Sequence, residues 1–250
     1  VLQWGYNNLS IPIQKQVALD GNAVEIAAGA DTCMAILESG NAVIWSNILN
    51  RRFIRRPDGT YLPNVKEVSV GSNDFILLRD TSGKVYSVDV SDYTARPVKR
   101  EIINTVTPTL TPVPSPTETP IPTDDPDPEV TPTNTPEPTN TPEPTQTPAP
   151  VLEDLTGVVE ISAGRNFGVA LLSSGDVYTW GNSQNGALGI VGAIGIIPDA
   201  RKVNLPGPAR RISAGSEHTI AVLQSNALYG WGKRAALGLS TSSSSFQPTP

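Results

Sequence analysis

The sequence contains few of the residues that catalytic and metal sites depend on. Its 250 residues include one cysteine, one methionine and one histidine. The single cysteine, Cys33, excludes an internal disulfide and a cysteine-based metal site, and it leaves the redox compartment open. No apolar run reaches about 18 residues, so no transmembrane helix is predicted. The sequence also begins without an initiator methionine or a signal-peptide pattern, and we expect the natural ends to lie outside it.

The charge of the chain is unevenly distributed. The chain has 24 acidic and 18 basic residues, a formal net charge of −6. Residues 105–150 hold seven of the acidic residues and no lysine or arginine, so the remainder is close to neutral. We therefore expect neither a broad nucleic-acid surface nor attraction to anionic membranes.

A short segment that ends in glycine recurs four times, and each copy is followed by an apolar stretch and a Ser-Gly or Ser-Asn pair. The glycines are Gly29, Gly71, Gly164 and Gly215. Five residues beyond each pair lie Trp45, Val88, Trp180 and Trp231. The pattern predicts a strand–turn–strand unit, with a tight two-residue turn that needs positive φ. Because the tryptophans recur at one register, we interpret them as packing residues rather than as a sugar-binding stripe.

The spacing of the four glycines indicates the architecture. Gly29 and Gly71 are 42 residues apart, and Gly164 and Gly215 are 51 apart. Gly71 and Gly164 are 93 apart, but removing the 46 residues of 105–150 leaves 47, one further repeat length. A period of about 40–50 residues is typical of propeller blades. The tract at 105–150 is therefore predicted to be an insertion between neighbouring repeats.

The second half of the chain resembles a known repeat. Ile161–Gly164, Gly168–Leu172, Gly175–Asn182 and Asn185–Gly189 follow one another as in the regulator of chromosome condensation (RCC1) repeat family, and the last unit matches through Trp231-Gly232. The first half resembles it more weakly, with Val88 in place of the aromatic residue. The signature residues are Gly29, Trp45, Gly71, Gly164, Gly175, Trp180, Gly181, Gly215, His218, Trp231 and Gly232. The resemblance implies an all-β, RCC1-like β-propeller with blades of four-stranded antiparallel sheet, about four of an expected seven being visible.

Three regions are predicted: divergent repeats at 1–104, a disordered, acidic Pro/Thr-rich linker at 105–150, and well-matched repeats at 151–250. The linker has too few apolar residues to offset its ordering entropy, and its prolines favour polyproline II. It is similar to stalks of bacterial surface proteins, which indicates an extracellular or cell-surface location, the alternative being cytoplasmic. A plain spacer and a Pro-x-x-Pro ligand remain alternatives. Its acidic cluster lacks the glycine turn of a calcium loop, so no metal site is predicted.

The remaining candidate residues have structural explanations as well as functional ones. His218 is interpreted as a structural hydrogen-bonding residue, because no nucleophile-elbow pattern accompanies it, and Cys33 as a core residue. The basic cluster Arg51, Arg52, Phe53, Arg55 and Arg56 is either a solvated loop with Phe53 packed beneath it or a contact loop, for an acidic partner or for the acidic tract of this chain. We predict no catalytic, cofactor-binding or metal-binding residue, and no cofactor.

Together these features predict a non-enzymatic interaction scaffold on a bacterial exported or surface protein. It would bind a protein partner, of unknown identity, through the loop face of the propeller. Two alternatives remain open: guanine-nucleotide exchange on a small GTPase, as in the founding member of the family, and a propeller enzyme acting on sugars or acyl groups. No exchange-loop residue matches by motif, and no paired carboxylates support an enzyme.

Overall fold

The computed structural model describes residues 2–6, 12–46, 51–91, 93–102, 151–238 and 246–247. The predicted linker at 105–150 lies outside these residues. Residues 1–102 and 152–250 belong to one compact unit. Within the described residues no helix is long and apolar enough to cross a membrane.

The secondary structure is almost entirely strand, with two short 3-10 helices at Gln184–Gly186 and Arg234–Leu237. The strands are β1 (Leu2–Tyr6), β2 (Pro12–Gln16), β3 (Ala23–Ala28), β4 (Thr32–Leu37), β5 (Ala42–Ser46), β6 (Arg52–Phe53), β7 (Val65–Val70), β8 (Ile76–Asp80), β9 (Val85–Asp89), β10 (Thr94–Pro97), β11 (Lys99–Ile102), β12 (Val151–Asp154), β13 (Val158–Ala163), β14 (Phe167–Leu172), β15 (Val177–Asn182), β16 (Ile196–Lys202), β17 (Ala209–Ala214), β18 (His218–Leu223), β19 (Leu228–Lys233) and β20 (Phe246–Gln247).

The strands form four blades, preceded by the antiparallel pair β1–β2. Blade 1 is β3–β6, blade 2 is β7–β10 and blade 4 is β17–β20, each a four-stranded antiparallel sheet as predicted. Blade 3, β13–β16, is extended by two strands that the sequence did not predict. These are β11 and β12, which flank the inserted tract, and β11 pairs with β16 in parallel through Arg100 and Ala200.

The hairpin turns confirm the predicted backbone conformation but not the predicted length. Gly40, Gly83, Gly175 and Asn226 have φ of 78°, 82°, 88° and 67°. The connections, however, are four residues long, as in 38–41 between β4 and β5. The amide of Gly40 donates to the carbonyl of Leu37 (2.8 Å). The turn therefore begins at Leu37, and the left-handed Gly40 is its fourth residue. The hairpin connection is longer than the two residues predicted.

The core consists of apolar layers between successive blades. On β14, Val169 and Leu171 pack into the layer shared with blade 4, whereas Ala170 and Leu172 pack into the layer shared with blade 2. Adjacent side chains of a strand point to opposite faces. A strand enclosed on both faces is therefore apolar throughout, and all six residues of β14 are buried.

The innermost strands are linked by a repeated carboxylate contact. Glu25 accepts a hydrogen bond from the backbone amide of Val68 in the next blade (3.0 Å), and Glu67 accepts one from Ile161 (3.1 Å). The second contact joins the repeats on either side of the tract, so these repeats are neighbours, as the spacing predicted. Removal from water is the main reason why the pKa of Glu25 is raised.

Candidate partner-binding sites

The basic cluster predicted from the sequence lies where the outer strands of blades 1 and 2 meet. Arg52 and Phe53 form β6, and Arg55 continues towards blade 2, where its backbone amide donates to the carbonyl of Tyr93 (3.2 Å). The amide of Ala95 donates in return to the carbonyl of Arg55 (2.7 Å). These backbone bonds fix the cluster against the edge strand β10, so its side chains project from a rigid element.

Aromatic rings from both blades support the arginine side chains. The guanidinium of Arg52 lies 5.4 Å from the ring centroid of Tyr93, and that of Arg55 lies 4.4 Å from the ring centroid of Tyr61. Phe53 meets Tyr61 edge-on, with centroids 5.4 Å apart and planes at 69°. Cation–π contact of this kind holds an arginine in place while its charge stays accessible. We call Arg51, Arg52, Phe53, Arg55, Tyr61 and Tyr93 the basic–aromatic patch.

All residues of the patch except Tyr61 line a pocket of about 270 Å³, and the patch keeps most of its positive charge. Asp20 neutralises Arg51, with Oδ1 2.8 Å from the guanidinium. Within the described part of the chain, no carboxylate forms an ion pair with Arg52 or Arg55. Arg55 donates instead to the carbonyl of Gly59 (2.7 Å) and to the hydroxyl of Tyr61 (3.2 Å). Arg56, which the sequence grouped with the others, does not line this pocket.

The repeat signature residues lie in the interior. Trp45, Trp180 and Trp231 are buried, and each belongs to the third strand of its blade. The second blade places buried Val88 at the same register, opposite Ile76. Gly181 and Gly232 follow two of the tryptophans with φ of 104° and 107°. Gly29 and Gly71 belong to turns that pack closely against neighbouring blades.

His218 and Cys33 lie in environments that suit packing. A side chain placed at Gly215 would meet the His218 ring at 2.1 Å, and one at Gly164 would meet the Phe167 ring at 2.0 Å. His218 therefore takes the place that Phe167 takes in blade 3, with its ring over its own turn. Cys33 packs against the apolar cluster around Trp45, and burial is the main reason why the pKa of its thiol is raised. No group of three or more His, Cys, Asp or Glu side chains that could hold a metal occurs among the described residues.

A second feature, which the sequence interpretation missed, is a cleft where blades 3 and 4 meet. Its volume is about 240 Å³, and its lining includes Arg165, Asn166, Asn182, Gln184, Asn185 and Glu217. Asn185 donates to Oε1 of Glu217 (3.1 Å), and Lys233 pairs with Oε2 (2.5 Å). The Lys233 contact lowers the pKa of Glu217. We call this feature the loop-end cleft.

Comparisons with known proteins identify the repeat. A model of the regulator of chromosome condensation (RCC1) repeat matches residues 158–187, and another of the same description matches residues 174–222. The Regulator of chromosome condensation of Drosophila melanogaster is 37% identical over 75 residues, which are 30% of this chain and 14% of that protein. The E3 ubiquitin-protein ligase MYCBP2 of Danio rerio is also 37% identical over 75 residues, 30% of this chain and 2% of the ligase.

Structural similarity extends over most of the chain. The structure of Kap60 bound to yeast RCC1 (Prp20) aligns with a TM-score of 0.61 and 18% identity, covering 96% of this chain and 50% of that one. This likeness confirms the predicted RCC1-like β-propeller fold. The chain spans about half of that solved chain and a small part of the curated relatives. The number of blades in a complete ring stays a prediction.

Proposed function

We propose that this chain, which belongs to the RCC1 repeat family, is a protein-interaction module that binds an acidic segment of a partner through the basic–aromatic patch. The observation that carries the proposal is the pair Arg52 and Arg55, each held over a tyrosine ring beside an open pocket. Guanidinium groups fixed in this way match carboxylates and lose little side-chain freedom on binding. Propellers of this fold take part in protein interaction or nucleotide exchange. This more general statement holds whether or not the patch binds an acidic segment.

The proposed location, on an exported or surface protein of a bacterium, rests on the composition of the linker alone. A non-enzymatic role is part of the same proposal. It is proposed and not established, because RCC1 repeats also occur in ligases such as the zebrafish relative. Exchange on a small GTPase is the second candidate, since the resemblance to the RCC1 family implies it and yeast RCC1 is among the solved chains of similar fold. Acceleration of nucleotide release from any member of a GTPase panel would favour exchange over scaffolding.

The test uses a fluorescein-labelled octaglutamate peptide as the acidic probe and measures its anisotropy with the full chain. Replacing both Arg52 and Arg55 by glutamine should weaken binding about twofold to thirtyfold at low salt, because exposed ion pairs each contribute roughly 0.2–1 kcal/mol. Arg210→Gln on blade 4 is the matched control, an exposed arginine that contacts Asn226 and should leave binding unchanged. Equal affinities for the double variant and the wild type would contradict the proposal.

A further inference from the structure

The loop between β15 and β16, with the first residue of β16, exposes aliphatic side chains. Val191, Ile194 and Ile196 are 80%, 88% and 75% exposed. In blade 4 the matching stretch after Leu237-Gly238 reads Leu-Ser-Thr-Ser-Ser-Ser-Ser. The repeat therefore does not require an apolar loop here, and folding does not bury these side chains. Three such side chains within six residues differ from the singly scattered apolar residues of an ordinary surface, so this segment is a candidate interaction site.

The base of this loop is firmly held. The hydroxyl of buried Thr179 donates to the carbonyl of Leu188 (2.7 Å), and that of buried Thr219, from blade 4, donates to the carbonyl of Ala187 (3.1 Å). The amide of Ser183 donates to the carbonyl of Gly195 (2.9 Å), which closes the loop. Because the loop is anchored in both blades, the loop loses less conformational entropy when a ligand covers its aliphatic side chains.

The apolar loop continues into the loop-end cleft. Asn185 lines both the cleft and a second pocket, of about 250 Å³, formed by the loop itself. Asn73 already donates to the side-chain oxygen of Asn166 (2.7 Å), and the backbone amide of Gln184 donates to that of Asn182 (2.9 Å). The side-chain NH2 groups of Asn166 and Asn182 can donate to a peptide backbone, and the side-chain amide of Gln184 can both donate and accept. Arg165 is exposed and forms no ion pair with a carboxylate of the described residues, whereas Glu217 is already paired with Lys233.

We propose that the loop and the cleft together form a second docking site, for an extended protein segment with an aliphatic residue close to an acidic one. The aliphatic side chain packs on Val191 and Ile194, the backbone pairs with the carboxamides, and the carboxylate pairs with Arg165. A lipid surface fits less well, because residues 182–198 contain no lysine or arginine. The site shares no residue with the basic–aromatic patch and does not depend on the function proposed for it.

The experiment selects a phage-displayed library of random dodecapeptides against the full chain and measures the enriched peptides by fluorescence anisotropy. We expect enrichment of peptides with Leu, Ile or Val within a few residues of Asp or Glu. Ile194→Ser should weaken their binding about tenfold or more, because the Ile194 side chain that a bound peptide would cover is lost. Arg165→Gln should weaken acidic peptides and leave their Asn/Gln versions unchanged. The control is Leu228→Ser, an aliphatic residue 67% exposed at the opposite end of blade 4.

Several results would overturn the proposal. These are failure to enrich any peptide, enrichment of peptides without aliphatic residues, or equal binding by Ile194→Ser and the wild type. Concentration-dependent dimerisation that Ile194→Ser abolishes would instead assign the loop to a second copy of the chain, and binding to phosphatidylserine vesicles that Ile194→Ser abolishes would assign it to a membrane. Unchanged melting temperatures of the variants confirm that a lost interaction is local. Arg52→Gln with Arg55→Gln should not alter the affinity of the selected peptides, which separates this site from the patch.

Discussion

Replacing Glu67 by alanine should strongly destabilise the contact between blades 2 and 3. Glu67 accepts the Ile161 amide at 3.1 Å and pairs with Arg79 at 2.6 Å, and the two charged side chains are 20% and 10% exposed. Removing one partner of a buried ion pair costs about 3–5 kcal/mol. A buried amide left without an acceptor costs about 1–3 kcal/mol. Since the two penalties overlap, we expect the free energy of unfolding to fall by about 3–5 kcal/mol.

Urea unfolding followed by tryptophan fluorescence measures this loss, because three tryptophans are buried in the blades. The matched control is Lys66→Ala, an exposed neighbour on the same strand, which should change stability by less than about 0.5 kcal/mol. Replacing both Glu67 and Arg79 by leucine should cost less than Glu67→Ala alone, because no unpaired charge is then buried. A loss below about 1 kcal/mol for Glu67→Ala would refute the reasoning, as would a double variant less stable than Glu67→Ala.

Two further predictions concern stability. A β-carbon at Gly71 would lie 1.7 Å from the Gly164 carbonyl oxygen. Gly71→Ala should therefore lower the free energy of unfolding by about 3 kcal/mol or more, which a lower urea midpoint would show. Hydrogen bonds from Lys84 and Lys99 lower the pKa of Asp154. A lowered carboxyl pKa contributes stability above its unfolded value and loses it as pH falls through the folded value. Asp154→Asn should therefore be less stable than the wild type at pH 7, and the two midpoints should converge only as the pH falls below the unfolded carboxyl value of about 3.9 and through the lower folded value; parallel profiles would contradict this.

The repeats could be predicted from the sequence because the residues that set the strand register lie close together in the chain. Cys33 and Trp45 pair across one hairpin, as Gly168 and Trp180 do, since a fixed turn fixes the residues opposite each other. Contacts between blades could not be predicted in this way. Nothing near Arg52 in the sequence indicates Tyr93, which meets it only when the two outer strands pack together.

Some missed features did leave a signal in the sequence. The glutamate four residues before Gly29 recurs before Gly71 and Gly164, at the place where a carboxylate reaches the next blade. In the fourth repeat Arg211 replaces it and lies 3.8 Å from Glu160. The apolar run after Leu188 also differs from the serines of the next repeat. Both signals lie at repeat positions other than the shared glycines and tryptophans, on which the prediction of the repeat depends.

The position of the inserted tract follows from the hydrogen bonds where the chain leaves and returns. The amide of Leu155 donates to the carbonyl of Val98 (2.8 Å), and the amide of Val85 donates to the carbonyl of Leu155 (3.2 Å). Because the two ends already meet, a longer connection adds a closure entropy that grows only with the logarithm of its length. At the inner turns, where Gly71 touches the backbone at Gly164, one added methyl group has no room. Variation that confers function should therefore avoid these glycines and concentrate on the outer edges, where the basic–aromatic patch lies, and on the side chains that line the loop-end cleft beside the inner turns.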